Sequence, residues 1–310
     1  MKGIEYMIQI NSKMTEGEAR AFVRDCDKNF FDRLNGVCEQ IIENDLSVIG
    51  LTGPTCSGKT TMANILTERL EKSGKQVHVI SLDDFFYEVD VLHRMSESGE
   101  IDYDSPDTID IPTLTQAVDA IFRYGEVQLP RFDFLTGKRE KGELICAGPD
   151  DRFIFEGIQV LYPEVSNLLS KYDSYKCIYI APGSSISVGG RIFEPDYIRL
   201  LRRLVRDFNF RGASADFSLY LWESVRKNEE KNIFPHIDKC DYFIDSTLGY
   251  DINMLAPYLE RILSMPHTGR GAITDEEYRR MADEILAQIS DVSHMEKSYL
   301  SEGSLYTEFI

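Results

Sequence analysis

Eight residues, Gly53-Pro54-Thr55-Cys56-Ser57-Gly58-Lys59-Thr60, spell G-x-x-x-x-G-K-T, and their surroundings restrict the fold more than any other feature of the chain. Ahead of them runs Ser47-Val48-Ile49-Gly50-Leu51-Thr52, a short apolar stretch that predicts a buried strand. After them, Thr61 to Leu70 carries apolar residues at helical spacing. A strand turning through a glycine loop into a helix is the setting in which this pattern cradles phosphate. Gly53 and Gly58 let the loop curl so that successive N–H groups point at phosphate oxygens, and the helix N-terminus adds its dipole. The predicted cradle runs from Gly53 to Thr61 and includes Pro54, Thr55, Cys56 and Ser57. Lys59 is expected to reach the β- and γ-phosphates, and the Thr60 hydroxyl to bind Mg²⁺.

Strands and helices alternate through the middle of the chain. Further strands are predicted at 76–82, 152–158, 175–180 and 241–245, and a helix from Thr113 to Tyr124 that opens after Pro112 and stops at Gly125. Short apolar strands separated by helices imply a parallel sheet covered on both faces, with ligands beyond the strand C-termini. The predicted class is α/β: a five-stranded parallel sheet flanked by helices. Residues 127–134 and 143–147 flank Thr136-Gly137-Lys138 and predict a β-hairpin excursion, whereas 89–110 reads as acidic and irregular. The expected organisation is a helical extension over 1–45, a P-loop domain over 46–264 and a second helical extension over 265–310. Helical periodicity over Ala19–Ile42 and the capping-box spacing Thr274-Asp275-Glu276-Glu277 support the two extensions. They are read as packing or homo-oligomer assembly elements.

A net charge of −18 over 310 residues argues against nucleic acid or an anionic membrane as partner. The N-terminus lacks an apolar h-region with a cleavage site, and six scattered cysteines form no C-x-x-C pair, so a reduced, cytoplasmic protein is expected. Against this acidic background Arg199, Arg202, Arg203, Arg206 and Arg211 stand close together with only Asp207 among them, and a phosphate role is favoured for the cluster. The second predicted strand ends in Ser81-Leu82-Asp83-Asp84 and the third in Glu156-Gly157. A carboxylate beside a P-loop can take an alcohol's proton during phosphoryl transfer, a role that suits Asp83, with Asp84 as the alternative. Glu156 is placed to hold the hydration shell of Mg²⁺.

These segments together resemble the uridine kinase family, within the phosphoribulokinase and uridine kinase group of P-loop kinases. The resemblance runs in order from about Ser47 to Ser246. Ser81-Leu82-Asp83-Asp84-Phe85-Phe86-Tyr87 resembles S-x-D-x-F-Y, and Tyr103-Asp104-Ser105-Pro106-Asp107-Thr108-Ile109-Asp110 resembles F-D-H-P-D-A-F-D. Pro130-Arg131-Phe132-Asp133-Phe134 resembles P-x-Y-D-F, Phe155-Glu156-Gly157-Ile158 resembles F-E-G-I, and Arg202 to Asp207 with Arg211-Gly212 resembles R-R-x-x-R-D followed by R-G. The segment from Trp222 to Pro235 looks like a bacterial branch of uridine kinase-like proteins.

The resemblance implies ATP as donor with Mg²⁺, a nucleoside or similar small alcohol as acceptor, and Asp83 as catalytic base. It implies that Asp104 holds the ribose hydroxyls, and that Arg203 and Arg206, assisted by Arg211, form a lid over the transferring phosphate. Tyr87, Phe132, Arg139 and Arg203 are carried over as substrate-binding residues. Two positions depart from the family where the base is read: Phe132 replaces a Tyr and Gly137 replaces a His, while Arg139 is kept. Relaxed base discrimination or a shifted preference is expected, with room at Gly137 for a larger base. Kinases of other small alcohols and a nucleotide-binding regulator are the other readings. A GTPase is disfavoured because no N-K-x-D appears.

Overall fold

The computed structural model describes residues 7–10, 13–95, 105–134, 136–172 and 174–310. Asp104 and Tyr103 lie outside the described residues. In chain order the elements are β1 (Met7–Ile10), α1 (Glu16–Glu43), β2 (Val48–Thr52), α2 (Lys59–Lys72), β3 (Val77–Ser81), α3 (Val89–Met95) and α4 (Ile111–Tyr124). There follow β4 (Glu126–Asp133), β5 (Lys138–Cys146), β6 (Arg152–Glu156), α5 (Pro163–Leu169), β7 (Tyr175–Ala181), β8 (Ser185–Val188) and β9 (Arg191–Phe193). The last are α6 (Pro195–Arg211), α7 (Ala215–Asn228), β10 (Tyr242–Asp245), α8 (Asp251–Leu263) and α9 (Asp275–Ile289).

The main sheet is parallel, in the order β10-β7-β2-β6-β3. Its side chains sort by the two-residue period of a strand. Ile49, Leu51, Ile154, Ile178 and Ile180 enter one core with α1, α2, α6, α8 and α9, while Val48, Phe153, Phe155 and Cys177 enter the other with α4, α5 and the hairpin. Both faces are covered, which explains why these strands read as continuous apolar runs. The register sets Leu51 and Ser81 on either side of Glu156. The C-terminal ends of β2, β3 and β6 therefore meet at one edge of the sheet.

Start and stop chemistry explains the helix limits. Asp110 accepts the N–H of Thr113 at the start of α4, and Gly125 ends that helix in the left-handed region (φ 71°). Thr274 and Glu277 form a reciprocal capping box on α9, as their spacing predicts, and Thr15 and Glu18 form another on α1. The hairpin β4–β5 forms around the predicted turn, and β5 is longer than expected.

Two features differ from the sequence reading. Val89–Met95 is helical within a stretch expected to be irregular. A second sheet, β1-β8-β9, joins the start of the chain in parallel to Ser185–Val188. These strands have only three or four residues each, too few for a period to register, and the pairing spans most of the chain. No helix among the described residues is long and apolar enough to cross a membrane.

The largest fully buried side chain is Arg202, on α6. Its guanidinium donates to both carboxylate oxygens of Asp251 (2.8 and 2.7 Å), to Ser246 O (2.8 Å) and to Cys56 O (3.3 Å). Asp251 also accepts from Leu248 N and from the Tyr306 hydroxyl. Removing one partner strands a buried charge, a loss of about 3–5 kcal/mol. Asp251→Ala is expected to lower the unfolding free energy measured in urea by that amount. A loss below about 1 kcal/mol would show that the pair is dispensable to the fold.

Candidate active site

The loop after β2 packs so closely that a Cβ on Gly53 would lie 2.0 Å from Ile180 O. The Lys59 ammonium donates to Gly53 O (3.1 Å) and Pro54 O (3.3 Å), closing the loop on itself. Cys56, buried, adopts φ 58°, a left-handed conformation that costs a non-glycine residue about 1–2 kcal/mol. Ser57 is also buried, and its hydroxyl is one of the few side-chain groups among the described residues without a hydrogen-bond partner. Thr60 is exposed at the start of α2.

The arginines of α6 divide into two sets. Arg199 is spent on Glu229 (2.6 and 2.7 Å) and Thr55 O (3.4 Å), and Arg202 on Asp251 and Cys56 O. Both brace the loop through its carbonyls. Arg203, Arg206 and Arg211 all approach Asp207, at 3.2, 2.6 and 3.7 Å. Arg206 also donates to the Thr55 hydroxyl (3.2 Å). Three cations on one carboxylate leave surplus positive charge beside the loop of a strongly acidic protein, which favours an incoming polyphosphate.

Asp83 and Asp84 follow β3 in one tight turn and point to different tasks. Asp83 Oδ1 accepts from Gln159 Nε2 at 2.6 Å. Asp84 accepts the N–H of Phe132 at 3.0 Å and so ties the turn to the hairpin. Gln159 went unremarked in the sequence, although a glutamine three residues after the strand-end Glu156 is the signal that marks it. It is buried, and it orients the Asp83 carboxylate. A cleft of about 340 Å³ opens on the hairpin side of β3, lined by Val79, Ser81, Asp84, Arg131, Lys141 and Glu143. Neither Asp83 nor the phosphate loop lines it.

Arg139 is engaged inside the protein. It donates to Phe86 O (2.6 Å), Phe85 O (3.2 Å) and Asp110 (2.8 Å), and its guanidinium lies 5.6 Å from the centroid of the Tyr87 ring. It holds the segment after β3 in place. Phe132 is buried edge-on between Phe86 (5.6 Å) and Phe134 (5.0 Å). The room expected at Gly137 does not exist. This glycine has φ 67°, and a Cβ there would lie 2.4 Å from Val89 Cγ2, so Val89 fills the space.

Burial pushes Glu156 up to about 7, reinforced by the nearby charges of Asp83 and Glu308 and opposed by Lys59. Among the described residues no three His, Cys, Asp or Glu side chains group as a metal cage. Mg²⁺ characteristically takes one or two protein oxygens and completes its shell with water and phosphate. An exposed Thr60 hydroxyl and a carboxylate held beside Lys59 fit that requirement.

This constellation on a five-stranded parallel sheet defines a P-loop kinase, a phosphotransferase with an alcohol acceptor. Residues 48–253 match the phosphoribulokinase / uridine kinase family, and the chain belongs to that family. It is similar to uridine kinase of Lactobacillus helveticus, 30% identical over 169 residues, covering 54% of this chain and 71% of that protein. Uridine kinase of Chlamydia pneumoniae is 29% identical over 238 residues, covering 75% of this chain and 95% of that protein. Uridine-cytidine kinase B of Dictyostelium discoideum is 29% identical over 210 residues, covering 66% and 78%.

Glu156 yields a pH prediction. The folded protein holds this proton more tightly than the unfolded chain, where a glutamate titrates near 4.5. The stability it contributes is complete below that value and is lost as pH rises toward about 7. In the metal-free protein Glu156→Gln should flatten this part of the stability profile and raise stability at ~pH 8 by up to about 3 kcal/mol. Urea unfolding across the range checks it, and an unchanged slope would assign the titration elsewhere.

Proposed function

We propose that this chain is an ATP-dependent kinase that phosphorylates the 5′-hydroxyl of a nucleoside. The observation that carries the reading is the strand-end constellation: Asp83 oriented by Gln159, Glu156 beside Lys59, and three arginines gathered on Asp207, one of which, Arg206, reaches Thr55. The named activities of the family relatives point to the same acceptor.

The donor polyphosphate lies in the loop from Gly53 to Thr61, with Lys59 turning from its carbonyls to the β- and γ-phosphates. Gln159 fixes one oxygen of Asp83 and leaves the other for the acceptor's hydroxyl proton. As the acceptor oxygen bonds to the γ-phosphorus, the bond to the β–γ bridging oxygen breaks, the proton passes to Asp83, and ADP leaves. Arg203 and Arg206 stabilise the charge on the transferring group. Thr60 and the water shell on Glu156 would hold Mg²⁺, which would supply charge neutralisation to the phosphates. Asp104 is assigned to the ribose diol, since a carboxylate accepts two hydroxyl hydrogen bonds.

Base recognition follows from the aromatic cluster. Phe132 supplies an apolar face without a hydroxyl, and position 137 supplies no side chain. An apolar site discriminates by only about 1–3 kcal/mol. The kcat/KM values for uridine, cytidine, thymidine, adenosine and guanosine should fall within roughly 200-fold of one another. Phe132→Tyr alone should widen the spread in favour of pyrimidines, because Val89 and the backbone at 137 exclude a histidine there. Absence of turnover with every nucleoside, alongside turnover of another alcohol, would reassign the acceptor.

The chemical roles are tested separately. Lys59→Ala should abolish most ATP turnover while the protein stays folded. Asp83→Asn should lower kcat by roughly 10²–10⁴ with little change in ATP affinity. An unchanged kcat in Asp83→Asn would remove it from the proton transfer.

A further inference from the structure

The segment 304–310 lies outside the residues matched to the family, yet it closes on the phosphate loop. Leu305, Tyr306 and Phe309 within it are fully buried. The Tyr306 hydroxyl donates to Asp251 (2.5 Å), Asn209 Nδ2 donates to Phe309 O (2.9 Å), and the Phe309 ring lies against the Arg202 guanidinium (5.3 Å). Ser304 and Tyr250 both hydrogen-bond Asp27 of α1. This platform brings two side chains to the loop. Leu305 packs over Gly58, where an added Cβ would lie 2.4 Å from its Cδ1. Glu308 Oε1 accepts both the N–H of Thr61 (2.6 Å) and the Thr61 hydroxyl (2.5 Å).

Thr61 N–H belongs to the first turn of α2, where N–H groups have no partner within the helix and an anion is favoured. In a P-loop the lysine reaches the β- and γ-phosphates and the backbone cradles the α- and β-phosphates. Thr61 stands two residues beyond Lys59, further round the cradle, at the α-phosphate end. Each of its two donors carries one proton. A phosphate oxygen can take them only when the Glu308 carboxylate leaves. The same loop holds the buried Ser57 hydroxyl, which has no partner of its own and suits an incoming oxyanion. Glu308 also stands within electrostatic reach of Glu156 and Arg206, so its charge repels a polyphosphate at close quarters.

We propose that Glu308 is an internal substitute for the α-phosphate of the donor nucleotide, occupying Thr61 until ATP displaces it. The inference rests on the kinase reading above. Donor affinity is then set by a competition within the chain. Displacement requires only rotation of the Glu308 side chain, because the turn that carries it is anchored independently through Tyr306, Phe309 and Ser304. Helix α1 and the segment 304–310 thereby act on the nucleotide site from outside the matched kinase core.

Calorimetric titration of ATP and ADP into the full chain tests this, using the parent, Glu308→Gln and Glu308→Asp. Losing a charge-assisted contact at Thr61 should lower the thermal midpoint of the free Glu308→Gln protein. Its affinity for both nucleotides should nevertheless rise by roughly tenfold, the worth of one such contact. Glu308→Asp keeps the charge but shortens the reach, and should tighten binding in the same direction. A purely structural cap gives the opposite pattern, with reduced stability and equal or weaker nucleotide binding. That pattern in a parent that binds ATP overturns the competition alone. Absence of nucleotide binding in every form overturns the kinase reading and the competition with it.

Discussion

The buried pair of Arg202 and Asp251 is the interaction on which the rest of the molecule depends. Both side chains are fully enclosed, and between them they reach Cys56 O in the phosphate loop, Ser246 O after β10, Leu248 N before α8 and the Tyr306 hydroxyl. Three regions distant in sequence are thus referenced to one pair of charges. Desolvation of both charges makes such a pair a weak source of net stability against an apolar alternative. It is a strong source of uniqueness here, because any displaced region leaves a charged or polar group unpaired in the core.

That arrangement also explains how a strained loop is kept in a phosphate-ready shape. Arg199 and Arg202 hold it from its carbonyl side, and the backbone of Ile180 limits it at Gly53. Cys56 can remain in a left-handed conformation because its neighbours leave no alternative. Glu308 takes the two donors of Thr61, and the buried Ser57 hydroxyl is left for an anion. Two helical arginines serve as struts, and the three that share Asp207 retain the surplus charge. One helix therefore does both structural and electrostatic work.

The proposed acceptor side is built with less polarity. Arg139 is consumed in bracing the turn after β3, Phe132 is wedged among aromatic rings, and Val89 occupies the space beside Gly137. In the proposed mechanism, what meets the acceptor with directed chemistry is Asp83, steadied by Gln159. This division, firm at the phosphates and plain at the base, is the physical ground for expecting strict phosphoryl chemistry with loose base choice.

The amino-acid sequence determined the sheet and the phosphate loop, because these follow from local signals: apolar runs of strand length, glycines and a lysine at fixed spacing, and helix caps such as Asp110 and Thr274. It also carried Asp83 and Glu156, since both stand directly at strand ends. Only the tertiary structure decided what depends on residues far apart. The five arginines of α6 look alike in sequence, and they separate only through partners at positions 207, 229 and 251. The substitution at Gly137 reads as empty space until Val89, about fifty residues earlier, is seen to fill it. Glu308 carries no motif, and its place on Thr61 results from buried contacts of Leu305, Tyr306 and Phe309 with elements distant in sequence. Local propensity and spacing are written in neighbours, whereas which charge meets which donor is settled by packing, and packing is not a local property.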